Sequence, residues 1–389
     1  MPDFPSSTQP DQRIDWVDVA KALGIALVFY GHFVQWFVPL RVWAATHQMK
    51  WIYAFHMPVF FLLVGFVYKA RDIPFDAFLK RQIRTRLVPA WVFNVVGMLA
   101  WITTEVARGA EGWVQQQGWG SLAGLCAAQV LELLYQGRAR ENWNIVTWFL
   151  ICLFTVELWQ YGLRALVRTT RGLIMSLLCF AALSVVVTVY SDPIHVFFPQ
   201  RHWWYISTGL TAIFFYQLGM LMRRSGLFIG AGFTLRRLIA AAGCLLITLV
   251  TYDLNRIGIV MMIDARFGDV IWFFLTALSG SLFIVFASQL CAGSRVLQYV
   301  GRTTLTLMCL NGILLEFVNK PLAKPLMARG LADNTWVFTT VALLFTLLSL
   351  TVSLPVSAFL ERYVPWTVGR TYRRAAAAVP AGMPPASPA

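Results

Sequence analysis

Three ionisable side chains interrupt the first long apolar stretch of the sequence, which reads WVDVAKALGIALVFYGHFVQWF. They are Asp18, Lys21 and His32. Ionisable groups in such a stretch are costly to bury in a membrane, and they are functional candidates by default. Asp18 and Lys21 are three residues apart and would share a helical face. Lys21 and His32 are eleven residues apart, which puts both on one face with about 16 Å between them along the axis.

These residue types suit proton transfer and anion binding, so the three form a candidate catalytic set. Histidine titrates near neutral pH and can act as a base, and a lysine held by an aspartate can bind an anion. Structural explanations stay open at this point. Lys21 fits an interfacial lysine balanced by Asp18, and His32 fits a hydrogen-bonded histidine between helices.

Four further residues are substrate-binding candidates. His56 opens the next apolar stretch, and we expect it to line the same cavity as His32, because a short loop makes the two stretches antiparallel neighbours. Later apolar stretches carry Trp148, Glu157 and Asn311. His56 also fits a packing role, and Glu157 an interfacial one.

A basic cluster precedes the third apolar stretch in the segment KRQIRTRLVP. Arg81, Arg84 and Arg86 are its candidates for binding a phosphate-bearing cofactor or substrate, because guanidinium groups match phosphate oxygens. The alternative is that these charges set membrane topology or contact lipid headgroups.

The composition indicates which elements hold these residues. The chain has 389 residues, of which 58% are hydrophobic and 13% are charged, whereas soluble proteins carry about 25% charged residues. The charges separate apolar runs of about 17–25 residues, the length that crosses a bilayer core of roughly 30 Å. Backbone groups in a bilayer must be paired, which favours helices. The sequence therefore predicts an all-α polytopic integral membrane protein.

We expect about ten transmembrane helices. They are placed near 16–39, 52–69, 88–107, 145–163, 173–190, 205–222, 238–253, 269–291, 304–319 and 336–359. The amphipathic segment 119–136 is predicted to form a helix that lies on the outer surface or dips partly into the membrane. One transmembrane domain is expected over 13–371, between a disordered tail at 1–12 and an Ala/Pro-rich tail at 372–389.

The distribution of basic residues predicts the orientation. With the N-terminus inside, 20 of the 32 Lys and Arg residues fall in inner segments and 11 in outer loops. Cytoplasmic loops are enriched in these residues, so both termini are predicted to be cytoplasmic. The net charge of +14 is explained by this bias, and we reject nucleic acid as a partner. The six cysteines lack metal-ligand spacing, so no metal is expected.

Several short motifs resemble the membrane acyltransferase-3 family, in particular its branch of fucose-4-O-acetylase-like and polysaccharide O-acetyltransferases. Asp18, Lys21 and His32 stand where that family typically has aspartate, arginine and histidine, with lysine here in place of arginine. Asn311 stands where many relatives have histidine. The other similar segments are FHMPVFFLLVGF, R-x-R-L-x-P, WFL, FFYQLGMLMRR, YVGRTTLTLMCLN and RYVPWTVGR.

The resemblance implies an enzyme that moves an acyl group, usually acetyl from acetyl-CoA, to a hydroxyl of an envelope or secreted polysaccharide or its lipid-linked precursor. It also implies the bacterial inner membrane. Acyl-CoA would be a donor substrate, with no tightly bound cofactor, and the bilayer and a glycan acceptor would be the other partners. We expect His32 to be the general base, and Lys21 and the arginine cluster to hold the donor. A covalent acyl-histidine relay stays open.

Two other functions remain open from the residues alone. One is a transporter or flippase of a polar or glycolipid substrate that uses the Lys21 and His32 pair as a relay. A weaker one is a membrane glycosyltransferase. That activity would be expected to use an acidic pair in an early outer loop, and loop 41–51 contains no Asp or Glu.

Overall fold

The computed structural model describes residues 13–70, 72–107, 121–138, 144–190 and 202–371. The two terminal tails predicted at 1–12 and 372–389 lie outside these residues. The only strand-like pairing in the described part is an isolated bridge between Met261 and Arg266. The prediction of an all-α chain is confirmed.

The described residues form fifteen α-helices. They are α1 (Asp15–Val34), α2 (Trp43–Tyr53), α3 (His56–Phe66), α4 (Phe75–Gln82), α5 (Val88–Ala107), α6 (Leu122–Gln136), α7 (Trp148–Gly162), α8 (Thr170–Tyr190), α9 (Ile206–Ser225), α10 (Leu235–Thr251), α11 (Val270–Leu290), α12 (Arg295–Arg302), α13 (Thr304–Leu314), α14 (Lys320–Ala328) and α15 (Thr335–Tyr363). Two π-helical segments, Ile83–Leu87 and Leu315–Asn319, join α4 to α5 and α13 to α14.

Nine helical segments of the described chain are long and apolar enough to cross a membrane. The seventh predicted span, 238–253, is the one missing from these nine. It corresponds to α10, which has 17 residues and is therefore roughly 25 Å long. The segment predicted at 119–136 is the helix α6, which with 15 residues is shorter still. The chain is a multi-pass membrane protein.

Three predicted spans have different limits in the structure. The second runs from Trp43 to Phe66 rather than over 52–69, because only Ala54 and Phe55 separate α2 from α3. The ninth starts at Thr304 as expected but continues through the second π-helical segment to Ala328. The third starts at Phe75 rather than at 88, because α4 continues through the first π-helical segment into α5. Local hydropathy missed these three extensions, since basic residues such as Lys50, Lys80 and Lys320 interrupt the apolar pattern there.

Four spans form the interior of the bundle and the others surround them. The segments that contain α1, α2–α3, α7 and α9 have between 67% and 83% of their apolar windows buried, against 22% for α15. Exposed leucines on α15, such as Leu343, Leu344 and Leu347, suit contact with lipid. The candidate residues on α1, α3 and α7 therefore lie inside the protein.

Close helix packing holds this interior together. α3 and α9 meet at Gly65, where a Cβ atom would lie 1.8 Å from the carbonyl oxygen of Tyr216. Only glycine fits this approach, and small residues are the usual means by which membrane helices pack closely. The fixed position of α3 also fixes His56, its first residue.

Candidate active site

His32 lies in the last turn of α1 and contacts α13. Its ring atom Nδ1 is hydrogen-bonded to the side-chain oxygen Oδ1 of Asn311. An amide oxygen only accepts, so Nδ1 carries the proton and donates it. The lone pair of the neutral ring is then on Nε2, the atom available to act as a base.

His56 is held in the same tautomer. It is 5% exposed, and its Nδ1 donates to the carbonyl oxygen of Ile52 at 3.0 Å, which leaves Nε2 with the lone pair. The ring of Tyr53 is 4.7 Å from that of His56 and 6.5 Å from that of His32, centroid to centroid. The Tyr53 hydroxyl donates to Oε1 of Gln35 at 2.9 Å.

Both histidines line one cavity of about 260 Å³, which we call the histidine cavity. Tyr53, Gln35 and Trp148 also line it. Much of the remaining wall is apolar and comes from α1, α3, α13 and the segment 260–263. Two histidines therefore line one mostly apolar cavity.

A second cavity, of about 290 Å³, has the opposite character, and we call it the basic cavity. Its charged lining residues are Lys69, Arg81, Arg86, Glu157 and Arg164. Three tyrosines, Tyr68, Tyr161 and Tyr216, contribute further polar groups. Four cations against one carboxylate make this a site for an anion.

Arg86 and Glu157 form a two-point ion pair inside the basic cavity. Nε and Nη2 of Arg86 donate to the two carboxylate oxygens of Glu157, each at 3.0 Å. This fork geometry is the strong form of an arginine–carboxylate contact. It neutralises Arg86 in part and ties the segment before α5 to α7.

A π-helical segment, Ile83–Leu87, divides the predicted arginine cluster. Such segments occur frequently at functional sites, where they change which side chains share a helix face. Arg81 and Arg86 line the basic cavity, whereas Arg84 is exposed and is not among its lining residues. The structure therefore brings two of the three predicted arginines together.

Asp18 is the centre of an ion-pair cluster at the N-terminal end of α1. Its side chain is 3% exposed, and its oxygens lie 2.5 Å from Arg13 Nε, 3.4 Å from Lys21 Nζ and 3.6 Å from Arg302 Nε. A Cβ atom on Gly301 would lie 1.8 Å from the carbonyl oxygen of Asp18, so only glycine lets α12 pack this closely. Asp18 thus fixes Lys21 and joins α1 to α12.

Lys21 and His32 belong to one unbroken helix, α1, so the predicted separation of about 16 Å holds. Buried apolar residues fill the space between them: Ile25 and Val28 on α1 and Phe60 on α3 are 0%, 3% and 6% exposed. Val28 and Phe60 also line the histidine cavity. The two cavities have no lining residue in common.

No three His, Cys, Asp or Glu side chains come together as a metal site within the described residues.

A known family accounts for most of the chain: a model of an acyltransferase domain, acyltransferase-3, matches residues 14–358. The chain belongs to the acyltransferase-3 family. No curated protein matches it, and neither does any solved structure. The predicted family is therefore confirmed, and the protein is an acyltransferase.

This acyltransferase places its sequence-predicted residues in three groups. His32, His56 and Trp148 line the histidine cavity, and Asn311 contacts His32. Glu157 was expected with these substrate-binding candidates but lies in the basic cavity with Arg81 and Arg86. Asp18 and Lys21 form the cluster at the N-terminal end of α1 together with Arg13 and Arg302, and Arg84 is apart from all three groups.

Sequence reasoning missed several residues of the histidine cavity. Tyr53 and Gln35 are each three positions from a histidine, and the i, i+3 rule could have found them. Trp36 and Glu316 line the histidine cavity as well. The segment 260–263 reaches the cavity from a loop without any local signal, because its position depends on contacts such as Thr208 Oγ1 to the Met262 carbonyl oxygen at 2.8 Å.

Proposed function

We propose that this membrane acyltransferase moves an acetyl group from cytoplasmic acetyl-CoA to a hydroxyl of an envelope or secreted polysaccharide, or of its lipid-linked precursor. Its place would be the bacterial inner membrane, with the N-terminal end of α1 at the cytoplasmic side. The observation that carries the proposal is the hydrogen bond from His32 to Asn311, which leaves Nε2 of a cavity-lining histidine as a base.

The reaction follows from that geometry. Nε2 of His32 removes the proton of the acceptor hydroxyl while its oxygen attacks the thioester carbonyl carbon. The tetrahedral intermediate collapses as the carbon–sulfur bond breaks. The coenzyme A thiolate leaves and takes the proton from the His32 imidazolium. An O-acetyl ester and free coenzyme A result, and His32 returns to its neutral form.

The developing oxyanion needs hydrogen-bond donors near His32. Gln35 lies three residues after His32, just beyond the end of α1. Its Oε1 already accepts from Tyr53, so its amide N–H groups remain as donors. Trp148 lines the same cavity and has an indole N–H, a group that only donates. We assign these two side chains to the oxyanion and His56 to acceptor binding.

The basic cavity supports the donor half of the proposal. Coenzyme A carries several phosphate charges, and Lys69, Arg81 and Arg164 offer cations to them. Glu157 neutralises part of the charge of Arg86. Arg86 therefore holds the wall of this cavity in place as well as adding positive charge to it. Lys21, held by Asp18, would guide the donor arm into the bundle. The arm would then have to displace side chains such as Phe60 to reach His32.

The test compares cells and purified protein that carry the wild-type chain with those that carry His32→Ala or Lys21→Ala. Glycan NMR or mass spectrometry should show O-acetyl groups only with a functional chain, and purified protein should consume acetyl-CoA only when an acceptor is present. Wild-type rates in either variant, when folded and inserted normally, would refute the assigned roles. Substrate flux without acetyl-CoA consumption would indicate transport instead.

A further inference from the structure

One charged side chain lines the otherwise neutral histidine cavity. This residue is Glu316, which lies in the π-helical segment Leu315–Asn319 and has 26% of its side chain exposed. Trp36 Nε1 donates to the Leu315 carbonyl oxygen at 3.1 Å, so the end of α1 is tied to this segment. Glu316 is thus held in a fixed place relative to His32.

Lys320 partly compensates the charge of Glu316. Its Nζ lies 3.0 Å from Glu316 Oε2 and 5.0 Å from the ring centre of Trp36. Lys320 is 55% exposed and is not among the cavity-lining residues. Oε1 of Glu316 has no hydrogen bond within the described part of the chain, so this carboxylate can still accept from a ligand.

The size of the cavity limits what can reach His32. Sites for small molecules commonly measure about 300–1,000 Å³, and this one measures about 260 Å³. A single sugar ring suits that space, and the rest of a glycan would remain outside. The ring would meet Trp36 and Trp148, whose aromatic faces suit the C–H groups of a sugar, and Glu316, whose carboxylate suits its hydroxyls.

We propose that Glu316 positions the acceptor sugar and makes this enzyme select an uncharged sugar over an anionic one, an inference that rests on the proposed function. An ionised carboxylate only accepts hydrogen bonds, so it binds hydroxyls of the ring and aligns another hydroxyl with His32. The same charge, which Lys320 compensates only in part, repels a uronic acid or a phosphorylated sugar, and the mostly apolar wall screens this repulsion less than water does.

A purely structural role for Glu316 would be the i, i+4 ion pair with Lys320 on the helix surface. Such a pair contributes little when exposed, and losing either partner would then have the same effect. If Glu316 binds the acceptor, the removal of Glu316 and the removal of Lys320 should have opposite effects on selectivity. Loss of the Glu316 charge should weaken the selection against anions, whereas loss of the Lys320 charge should strengthen it.

The experiment uses the purified full-length chain in lipid nanodiscs with radiolabelled acetyl-CoA. The acceptors are octyl β-glucoside and octyl β-glucuronide, which differ by one carboxylate. For the wild type we expect kcat/KM to favour the glucoside by about tenfold or more, because of repulsion in an apolar site. In Glu316→Gln the KM for the glucoside should rise and this ratio should fall towards one. In Lys320→Gln the ratio should increase.

The possible outcomes test the role of Glu316 and the proposed acetyl transfer separately. An unchanged glucoside-to-glucuronide ratio in Glu316→Gln overturns the role of Glu316. So does an equal effect of Glu316→Gln and Lys320→Gln. If neither glycoside is acetylated but cells still form O-acetyl groups that depend on His32, the sugar selection is refuted and the proposed function stands. If no acetyl transfer occurs in cells or with purified protein, the proposed function fails, and the role of Glu316 fails with it.

Discussion

The basic cavity and the histidine cavity are nearly equal in volume, about 290 and 260 Å³, but they differ in charge. Four Lys and Arg side chains and one Glu line the first, whereas one Glu and two histidines line the second. Their size therefore does not decide what they bind. The difference in charge suits the basic cavity to an anion and the histidine cavity to proton transfer.

An acyl-transfer enzyme has a physical reason to keep the cations of the basic cavity away from His32. Cations close to His32 would disfavour the imidazolium that forms when this base accepts a proton. The phosphates of the proposed acyl-CoA donor, in contrast, would need cations in an accessible place. The buried side chains Ile25, Val28 and Phe60 lie between the level of Lys21 and that of His32, and they keep the two environments apart.

The largest effect should come from removing the base. His32→Ala should lower kcat for acetyl transfer by about 10²–10⁴-fold, the usual contribution of general base catalysis, with the KM for acetyl-CoA almost unchanged. Steady-state kinetics with labelled acetyl-CoA measures both constants. The matched control is His47→Ala, since His47 contacts Tyr252 and does not line the histidine cavity. A similar loss in both variants would contradict the special role of His32.

A smaller effect, on stability, should follow from breaking the ion pair in the basic cavity. Arg86→Ala leaves the Glu157 carboxylate, whose side chain is 10% exposed, without its partner. We expect a loss of about 3 kcal/mol in the free energy of unfolding, as for other pairs of this kind when one partner is removed. Thermal unfolding in detergent measures it.

The double variant Arg86→Met with Glu157→Leu is the control for this pair. Two apolar residues of similar volume should restore much of the stability. The KM for acetyl-CoA should still exceed that of the wild type, because a guanidinium that can donate to a phosphate has been lost, although the net charge of the cavity lining is unchanged. If the double variant regains stability and also binds acetyl-CoA normally, Arg86 has no part in binding the donor.

The sequence was most informative where all the information lies within one helix. The unbroken α1 confirms the helical spacing of Asp18, Lys21 and His32, because that spacing depends only on 3.6 residues per turn. His56 also lies beside His32 as expected, since a short connection forces α1 and α2–α3 together. The identity of the family followed from the same motifs.

Other placements depend on contacts that sequence patterns do not record. Arg81, Arg84 and Arg86 were expected together, but a π-helical segment changes the face on which they lie, and only Arg81 and Arg86 line the basic cavity. Glu157 was expected near the acceptor, but it pairs with Arg86 from a distant part of the chain. The Asn311 contact with His32 joins residues 279 positions apart. Local spacing cannot supply such pairings.

A more moderate effect should come from changing the partner of His32. Asn311→Leu keeps a similar volume but leaves the Nδ1–H group of His32 without an acceptor, so the ring can change tautomer. Kcat should fall by roughly 10–100-fold, in line with the cost of a buried unsatisfied donor. The KM for acetyl-CoA should not change. Asn311→Asp retains an acceptor oxygen and should recover part of the activity, whereas equal losses in both variants would exclude the tautomer explanation.

The smallest effect should come from one exposed cation at the basic cavity. Arg81→Gln should raise the KM for acetyl-CoA by a few-fold at low salt, since an exposed charge contributes about 0.2–1 kcal/mol. The increase should shrink at about 0.5 M salt, because added ions screen exposed charges. Arg84→Gln is the matched control, as Arg84 is equally basic and exposed but lies outside the cavity lining. If both variants raise the KM equally, the charge of the whole surface attracts the donor, and the basic cavity loses its distinction from the rest of that surface.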